Sequence, residues 1–292
     1  MPDWQERITH ETEPAIRAEH DARYRVAAPL IASAEVWCDL GCGTGIAAAA
    51  ALRPLGGFSR RAVLVDLDEG LARGAAAELG VQDAVVFAAD LSTDDGVARV
   101  SEHLADGAVV TCFEVVEHLA TFVPLVERLV ERADTVTTIL SVPNDAFWAI
   151  QNPHHLAMWG EGAFAELESQ LPATRVILHQ VQLQGSAILP VGDDLTLSPE
   201  AGVHARGAVP THFLAAFGPR AAELEPLATV AQVDLDEQRR WVRQREADVA
   251  ILETLLTERE EWRRYIHELE GRLGLPPSGA AARDQLPAGT DT

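Results

Sequence analysis

Residues 36–45 read VWCDLGCGTG. Apolar residues run into an aspartate, Asp39, and then into three glycines at alternate positions, Gly41, Gly43 and Gly45. An apolar run that ends in glycines and continues into TGIAAAAAL (44–52) reads as a strand entering a helix through a tight turn. The same rhythm recurs. AVLVD (62–66), AVVFAAD (84–90), GAVVTCF (107–113) and TVTTILSV (135–142) are apolar runs, and EGLARGAAAEL (69–79) and EVVEHLATFVPLVERLVERA (114–133) are helical stretches between them. Beyond the helix EGAFAELESQL (161–171), TRVILHQVQLQGSAI (174–188) alternates like a strand, and THFLAAFG (211–218) is one more. Near-continuous apolar strands alternating with helices form a parallel sheet covered on both faces. The expectation is a doubly wound α/β fold with a seven-stranded, mostly parallel sheet over residues 34–220, preceded by cap helices in 1–33. The turn-rich VGDDLTLSPEAGVHARGA (191–208) reads as a flap over the cleft.

Composition narrows the classes of function. The chain has 292 residues, 47% hydrophobic, with a formal net charge of −22, and its 23 basic residues are all arginine. A nucleic-acid binder concentrates positive charge on one surface; here the arginines are spread, so no nucleic-acid partner is expected. Cys38, Cys42 and Cys112 show no CxxC or Cys/His spacing for zinc, and an odd count fits a reducing, cytoplasmic setting. No apolar run approaches the ~20 residues of a membrane span.

The glycine turn is not a phosphate cradle. A P-loop needs GK[ST], and the chain has no lysine. The dinucleotide form G-x-G-x-x-G is replaced by G-x-G-x-G, with Asp39 just ahead of it; a carboxylate there repels phosphate and suits an ammonium group. Asp66 ends the second apolar run, where an acid accepts from both ribose hydroxyls. Asp90 ends the third, within reach of an adenine amino group. Three acids at three strand ends call for an adenosine with a cationic, amino-acid-like tail and no phosphate. S-adenosyl-L-methionine has those parts.

The series WCDLGCGTG, LVDLDEGL, FAADL, CFEVVEHL resembles the motifs of class I S-adenosylmethionine-dependent methyltransferases, in order and spacing, over about residues 20–218. The resemblance implies a Rossmann-like methyltransferase domain that binds S-adenosyl-L-methionine through Asp39, Gly41, Cys42, Gly43, Gly45, Asp66, Leu67, Asp90, Leu91 and Glu114. The segment AEHDARYRVAAPLI (18–31) resembles a cap helix of these enzymes, with Tyr24 or Arg25 near the cofactor carboxylate.

EVVEH follows the fourth strand, where this fold carries its active site. Glu117 and His118 stand three and four residues after Glu114, within one helical turn. An imidazole, with an unperturbed pKa near ~6.5, suits a general base toward an attacking hydroxyl. His118 is the first choice, His155 the second, with Glu117 beside them. Glu114, Glu117, His118 and His155 also resemble the two-Glu, two-His metal site of the small-RNA 2′-O-methyltransferases. E-x-x-E-H occurs equally in metal-free small-molecule and glycan methyltransferases, and no metal is expected here. The reading is methylation of a hydroxyl on a sugar, glycan or other small molecule. Its alternatives are a divalent-metal-dependent RNA 2′-O-methyltransferase and a non-catalytic scaffold on a methyltransferase fold.

Residues 230–274 are charged and helical, and Leu252, Leu255, Arg259, Trp262, Ile266, Leu269 and Leu273 make a 3-4 heptad seam. A coiled coil, with a homodimer formed through it, is expected, followed by a disordered tail over 275–292.

Overall fold

The computed structural model describes residues 7–12, 14–148, 154–182, 209–227 and 235–275. The chain divides into two compact units, 1–232 and 233–292. In the first, α1 (Pro14–Ser33) precedes β1 (Val36–Leu40), α2 (Ile46–Leu52), β2 (Arg61–Asp66), α3 (Glu69–Leu79) and β3 (Ala84–Ala88). Then come α4 (Asp94–Ser101), β4 (Val109–Phe113), α5 (Val123–Glu131), β5 (Thr137–Pro143) and α6 (Asp145–Trp148). α7 (Glu161–Gln170), β6 (Arg175–Gln180) and β7 (His212–Phe217) complete the unit. The sheet has seven strands in the order β3-β2-β1-β4-β5-β7-β6, and β7 alone runs antiparallel to its neighbours. The second unit contains α8 (Leu235–Leu273).

The strand period of two divides the core between the two faces. Val63, Val65, Val110, Cys112 and Leu140 point to one layer, with Val97 and Val100 of α4 and Leu125 and Leu129 of α5. Trp37, Leu64, Val109 and Ile139 point to the other, with Ala27 and Ile31 of α1 and Ala48 of α2. Each fully buried aliphatic side chain contributes about 1.5–3 kcal/mol. All three cysteines are free and buried in these layers.

The mostly parallel, seven-stranded sheet matches the expectation, and the elements differ from it in three places. The helix read across 114–133 is interrupted: Val116–His118 form a 3-10 turn, and α5 starts only at Val123. α4 was invisible in the apolar pattern because it spans eight residues; it is fixed at its start by the Thr93 hydroxyl, which accepts from Gly96 N–H. Among the described residues of the cap region the helix begins at Pro14, and residues 7–12 are irregular with a turn at 10–11. The proposed flap (191–208), the second half of the alternating run (183–188) and the tail (276–292) lie outside the described residues.

The three glycines of the first turn all have left-handed φ, for different reasons. A Cβ on Gly41 would sit 2.3 Å from Cγ2 of Val115, and one on Gly45 would sit 2.8 Å from Cα of Ala75 in α3. A Cβ on Gly43 would meet nothing within 4 Å. Gly41→Ala and Gly45→Ala are therefore expected to cost about 2 kcal/mol or more, from strain plus overlap. Gly43→Ala carries the strain alone, about 1 kcal/mol. Urea unfolding of the three variants tests this ordering; equal losses would mean that the close approaches relax freely.

Candidate functional site

The winding of the sheet reverses between β1 and β4. In open α/β sheets the crevice beyond the strand ends at such a reversal takes the ligand. The glycine turn leaves β1 there, and the EVVEH turn leaves β4. They touch each other through Gly41 and Val115.

The glycine turn is held by β2. Gly41 and Cys42 N–H groups both donate to the Val65 carbonyl, at 2.8 and 3.0 Å. The Gly43 N–H donates to Asp66 Oδ2 at 3.0 Å, and Asp68 N–H donates to Asp66 Oδ1 at 3.0 Å. The Arg7 guanidinium stands 3.9 Å from Asp66, and the Thr44 hydroxyl donates to the Ile8 carbonyl at 2.6 Å. Residues 7 and 8 thus lie against the turn. The open space in front of Gly43 is a cradle that any side chain would begin to fill. Leu67 is exposed, whereas Leu91 packs in the core. Asp90 is exposed; its Oδ1 accepts from both the N–H and the hydroxyl of Ser92, which hold its carboxyl below the usual range.

Asp39 faces inward. It is fully buried, and its oxygens accept from the Tyr24 hydroxyl at 2.9 and 3.1 Å and from the Thr111 hydroxyl at 2.5 Å. Thr111 Oγ1 in turn accepts from the Trp37 indole N–H at 2.9 Å. The sequence suggested an ammonium partner; within the structure two hydroxyls take that place. Burial pushes the Asp39 carboxyl up to about 7, against the pull of these two donors.

The cap helix supplies a residue that sequence reading passed over. Tyr24 is spent on Asp39 and Arg25 is exposed, but Arg23 is 1% exposed. Its Nη1 donates to Gln180 Oε1 at 2.9 Å, while Nε and Nη2 are buried without a partner. Nε–H and Nη2–H form the side-on edge of a guanidinium, which matches a carboxylate in bidentate fashion. The signal was helical phase: Arg23 stands one turn before Ala27 and two before Ile31, both buried. Burial and the nearby Arg23 charge push His20, on the same helix, down to about 3, so it is neutral.

Of the EVVEH acids, the structure brings one to the histidines and holds the other apart. Glu114 has φ 54, the one positive value outside glycine among the described residues. Its Oε1 accepts from the Ser141 hydroxyl at 2.8 Å, and its Oε2 is 3.3 Å from His212 Nε2. Burial alone would raise its carboxyl; Arg23 and His212 outweigh burial and hold it well below the usual range. Glu117, His118 and His155 converge, with one ligand atom of each within 4.8 Å of the others. Neither oxygen of Glu117 accepts a hydrogen bond from another residue, although the side chain is wholly buried. Burial, with the Glu114 charge adding to it, pushes this carboxyl well above its usual range.

Both imidazoles are oriented from behind. His118 Nδ1 lies 3.1 Å from the His154 carbonyl, which can only accept, so that nitrogen carries the hydrogen. His155 Nδ1 lies 2.8 Å from Asp145 Oδ1, and Asp145 Oδ2 is fixed by Trp159 N–H at 2.6 Å. With the hydrogen on Nδ1, Nε2 is the basic nitrogen of each neutral ring, and that of His118 lies 4.0 Å from Glu117 Oε1. Leu156 and Ala157 N–H groups donate to the Glu117 carbonyl at 2.7 and 3.2 Å, pinning the 154–157 segment to the 3-10 turn. Asp145 carries no local signal because its partner His155 lies ten residues away, well beyond the i, i+3 and i, i+4 spacings of a helix.

The sheet order β3-β2-β1-β4-β5-β7-β6 with β7 reversed is the Rossmann-like strand order expected from the sequence for a methyltransferase fold. The chain is similar to the methyltransferase domain of bacterial CtHen1-C, at 18% identity and TM-score 0.45 over 68% of this chain and 98% of that one. It is similar to the small RNA methyltransferase HEN1, at 20% identity and TM-score 0.46 over 77% of this chain and 27% of that one. A third similar structure is a SAM-dependent methyltransferase from Aquifex aeolicus, at 12% identity and TM-score 0.41 over 69% of this chain and 91% of that one. No protein-family model matches the chain, and no curated protein matches it significantly. No described helix is long and apolar enough to cross a membrane.

The raised Asp39 carboxyl makes stability depend on pH. Its folded value of about 7 lies above the ordinary carboxylate range, so the unfolded chain ionises first. The stabilisation is complete below pH ~4 and is lost as pH rises to about 7, at no more than ~1.4 kcal/mol per pH unit. Asp39→Asn removes that loss. Relative to the unmodified protein, its stability in urea is expected to climb between pH 5 and pH 8. A constant difference would show that Asp39 is ionised in the folded protein throughout.

Proposed function

We propose that the chain is an S-adenosyl-L-methionine-dependent O-methyltransferase acting on a hydroxyl of a sugar, glycan or other small molecule. One observation carries this reading. At the switch point of the sheet, the open cradle at Gly43 sits on one strand end, and the Glu117–His118–His155 cluster follows the adjacent one.

Bound S-adenosyl-L-methionine supplies a methyl carbon on a positively charged sulfur; the acceptor oxygen bonds to that carbon as the C–S bond breaks and its electron pair returns to sulfur. The residues fit this group. Gly43 leaves room for close backbone approach, and Asp66, with lone pairs beyond those used by Gly43 and Asp68, accepts from ribose hydroxyls. The partnerless edge of Arg23 suits the methionine carboxylate. The acceptor's proton passes to a basic Nε2, of His155 held by Asp145 or of His118 held by the His154 carbonyl. Orientation of the acceptor does most of the remaining work. A net charge of −22 disfavours a polyanionic acceptor such as RNA.

A second reading rests on the buried oxygens of Glu117, which accept no hydrogen bond from another residue. A carboxylate and two imidazoles suit a divalent ion such as magnesium or manganese, which would polarise the acceptor hydroxyl. Glu117, His118 and His155 would hold it, with Asp145 and the His154 carbonyl as outer supports. Glu114 stays with Ser141 and His212.

Calorimetry tests the cofactor. The intact protein is expected to bind S-adenosylhomocysteine, and Asp66→Ala to lose most of that affinity. Arg23→Met is expected to weaken it by about tenfold or more, as for a lost charge-assisted hydrogen bond. Its affinity for 5′-methylthioadenosine, which lacks the amino-acid part, should stay unchanged. A folded intact protein that binds no S-adenosylhomocysteine overturns the reading and leaves the scaffold alternative. Manganese EPR tests the ion: one bound Mn²⁺ per chain, lost in Glu117→Gln, is expected of the second reading, and no bound Mn²⁺ removes it.

A further inference from the structure

We propose that α8 pairs with α8 of a second copy of this chain, as a parallel, in-register, two-stranded coiled coil. The helix is continuous from Leu235 to Leu273. Along it Leu255, Arg259, Trp262, Ile266, Leu269 and Leu273 recur at steps of four and three. Four of the apolar members are exposed, Leu255 at 54%, Trp262 at 63%, Ile266 at 44% and Leu273 at 70%, while Leu269 is half-buried. Apolar surface repeating in heptads is the seam of a coiled coil, not of a solvated helix.

The flanking residues identify the occupant. With Leu255, Trp262 and Leu269 at d, and Arg259, Ile266 and Leu273 at a, Glu258 falls at g and Arg263 at the following e. In a parallel, in-register pair each g residue faces the next e residue of the other helix. Glu258 therefore meets Arg263 of the partner subunit, twice by symmetry. Among the described residues neither Glu258 nor Arg263 has an ion-pair partner in its own chain. One heptad earlier, Ile251 at g and Leu256 at e, 58% and 49% exposed, make an apolar pair by the same rule. Arg259 breaks the seam. In this arrangement it lies beside Glu258 of the partner subunit, and a single polar a residue fixes register at some cost in stability. Antiparallel pairing sets g against g and e against e, and forfeits these contacts. The self-complementary sequence makes a second copy the occupant.

The full-length chain tests this by sedimentation velocity at tens of micromolar. Twice the 31.5 kDa chain mass is expected, falling to the monomer in Ile266→Asp. Glu258→Arg and Arg263→Glu should each weaken the dimer about fivefold or more, and their combination should restore it. Cys38, Cys42 and Cys112 are buried, so in Leu273→Cys only the introduced thiol is presented. Under oxidation it is expected to link two chains. A monomer at all concentrations overturns the proposal. So does a dimer indifferent to Ile266→Asp, or one in which Leu273→Cys never cross-links.

Discussion

A fully buried carboxylate holds the ligand-binding end of this sheet together. Asp39, near the end of β1, receives Tyr24 from α1 and Thr111 from β4, and Trp37 reaches the same network through Thr111. Burial of a carboxylate costs several kcal/mol unless its lone pairs are satisfied. Here the two hydroxyls offset part of that cost, which favours the placement of α1 and β4 that supplies them. Once α1 is docked, Arg23 is carried inside beside Gln180. Once β4 is docked beside β1, Val115 closes on Gly41. The rest of the cleft follows from those two contacts.

The Glu117–His118–His155 cluster is built on a different rule. Each histidine is fixed through Nδ1, one by a carbonyl and one by Asp145, and Nε2 of His118 stands 4.0 Å from Glu117 Oε1. Trp159 N–H fixes Asp145 in turn. Glu117 receives no comparable support, and its raised carboxyl reflects that. A basic nucleophile site and a divalent-ion site draw on the same three residues, and they differ only in whether Glu117 carries a proton or faces a cation.

The proposed role of α8 is assembly rather than chemistry, and it rests on exposed heptad positions and the charges flanking them. The globular unit has its own two-layer core, so pairing through α8 would bring two such units together without drawing on that core.

The apolar runs and the glycine turn determined the sheet, because strand and turn preferences act over a few residues and show as period and punctuation. Asp66 at a strand end, and the placing of EVVEH after the fourth strand, were legible for the same reason. Local pattern failed wherever a side chain answers to something distant in sequence. Asp39 stood correctly ahead of the glycines, yet only the docking of α1 and β4 turned it inward. Glu114 was grouped with Glu117 and His118 on helical spacing, but its left-handed backbone and the 3-10 turn after it send its carboxylate to Ser141 and His212. Helical phase puts Arg23 on the buried face of α1 but does not name its partner, and Asp145 carries no such signal, because their partners lie elsewhere in sequence. The sequence by itself determined the strands, their succession along the chain and which acids follow them. Tertiary packing decided which of those acids line the cleft, because burial and hydrogen-bond satisfaction are settled between elements and not along them.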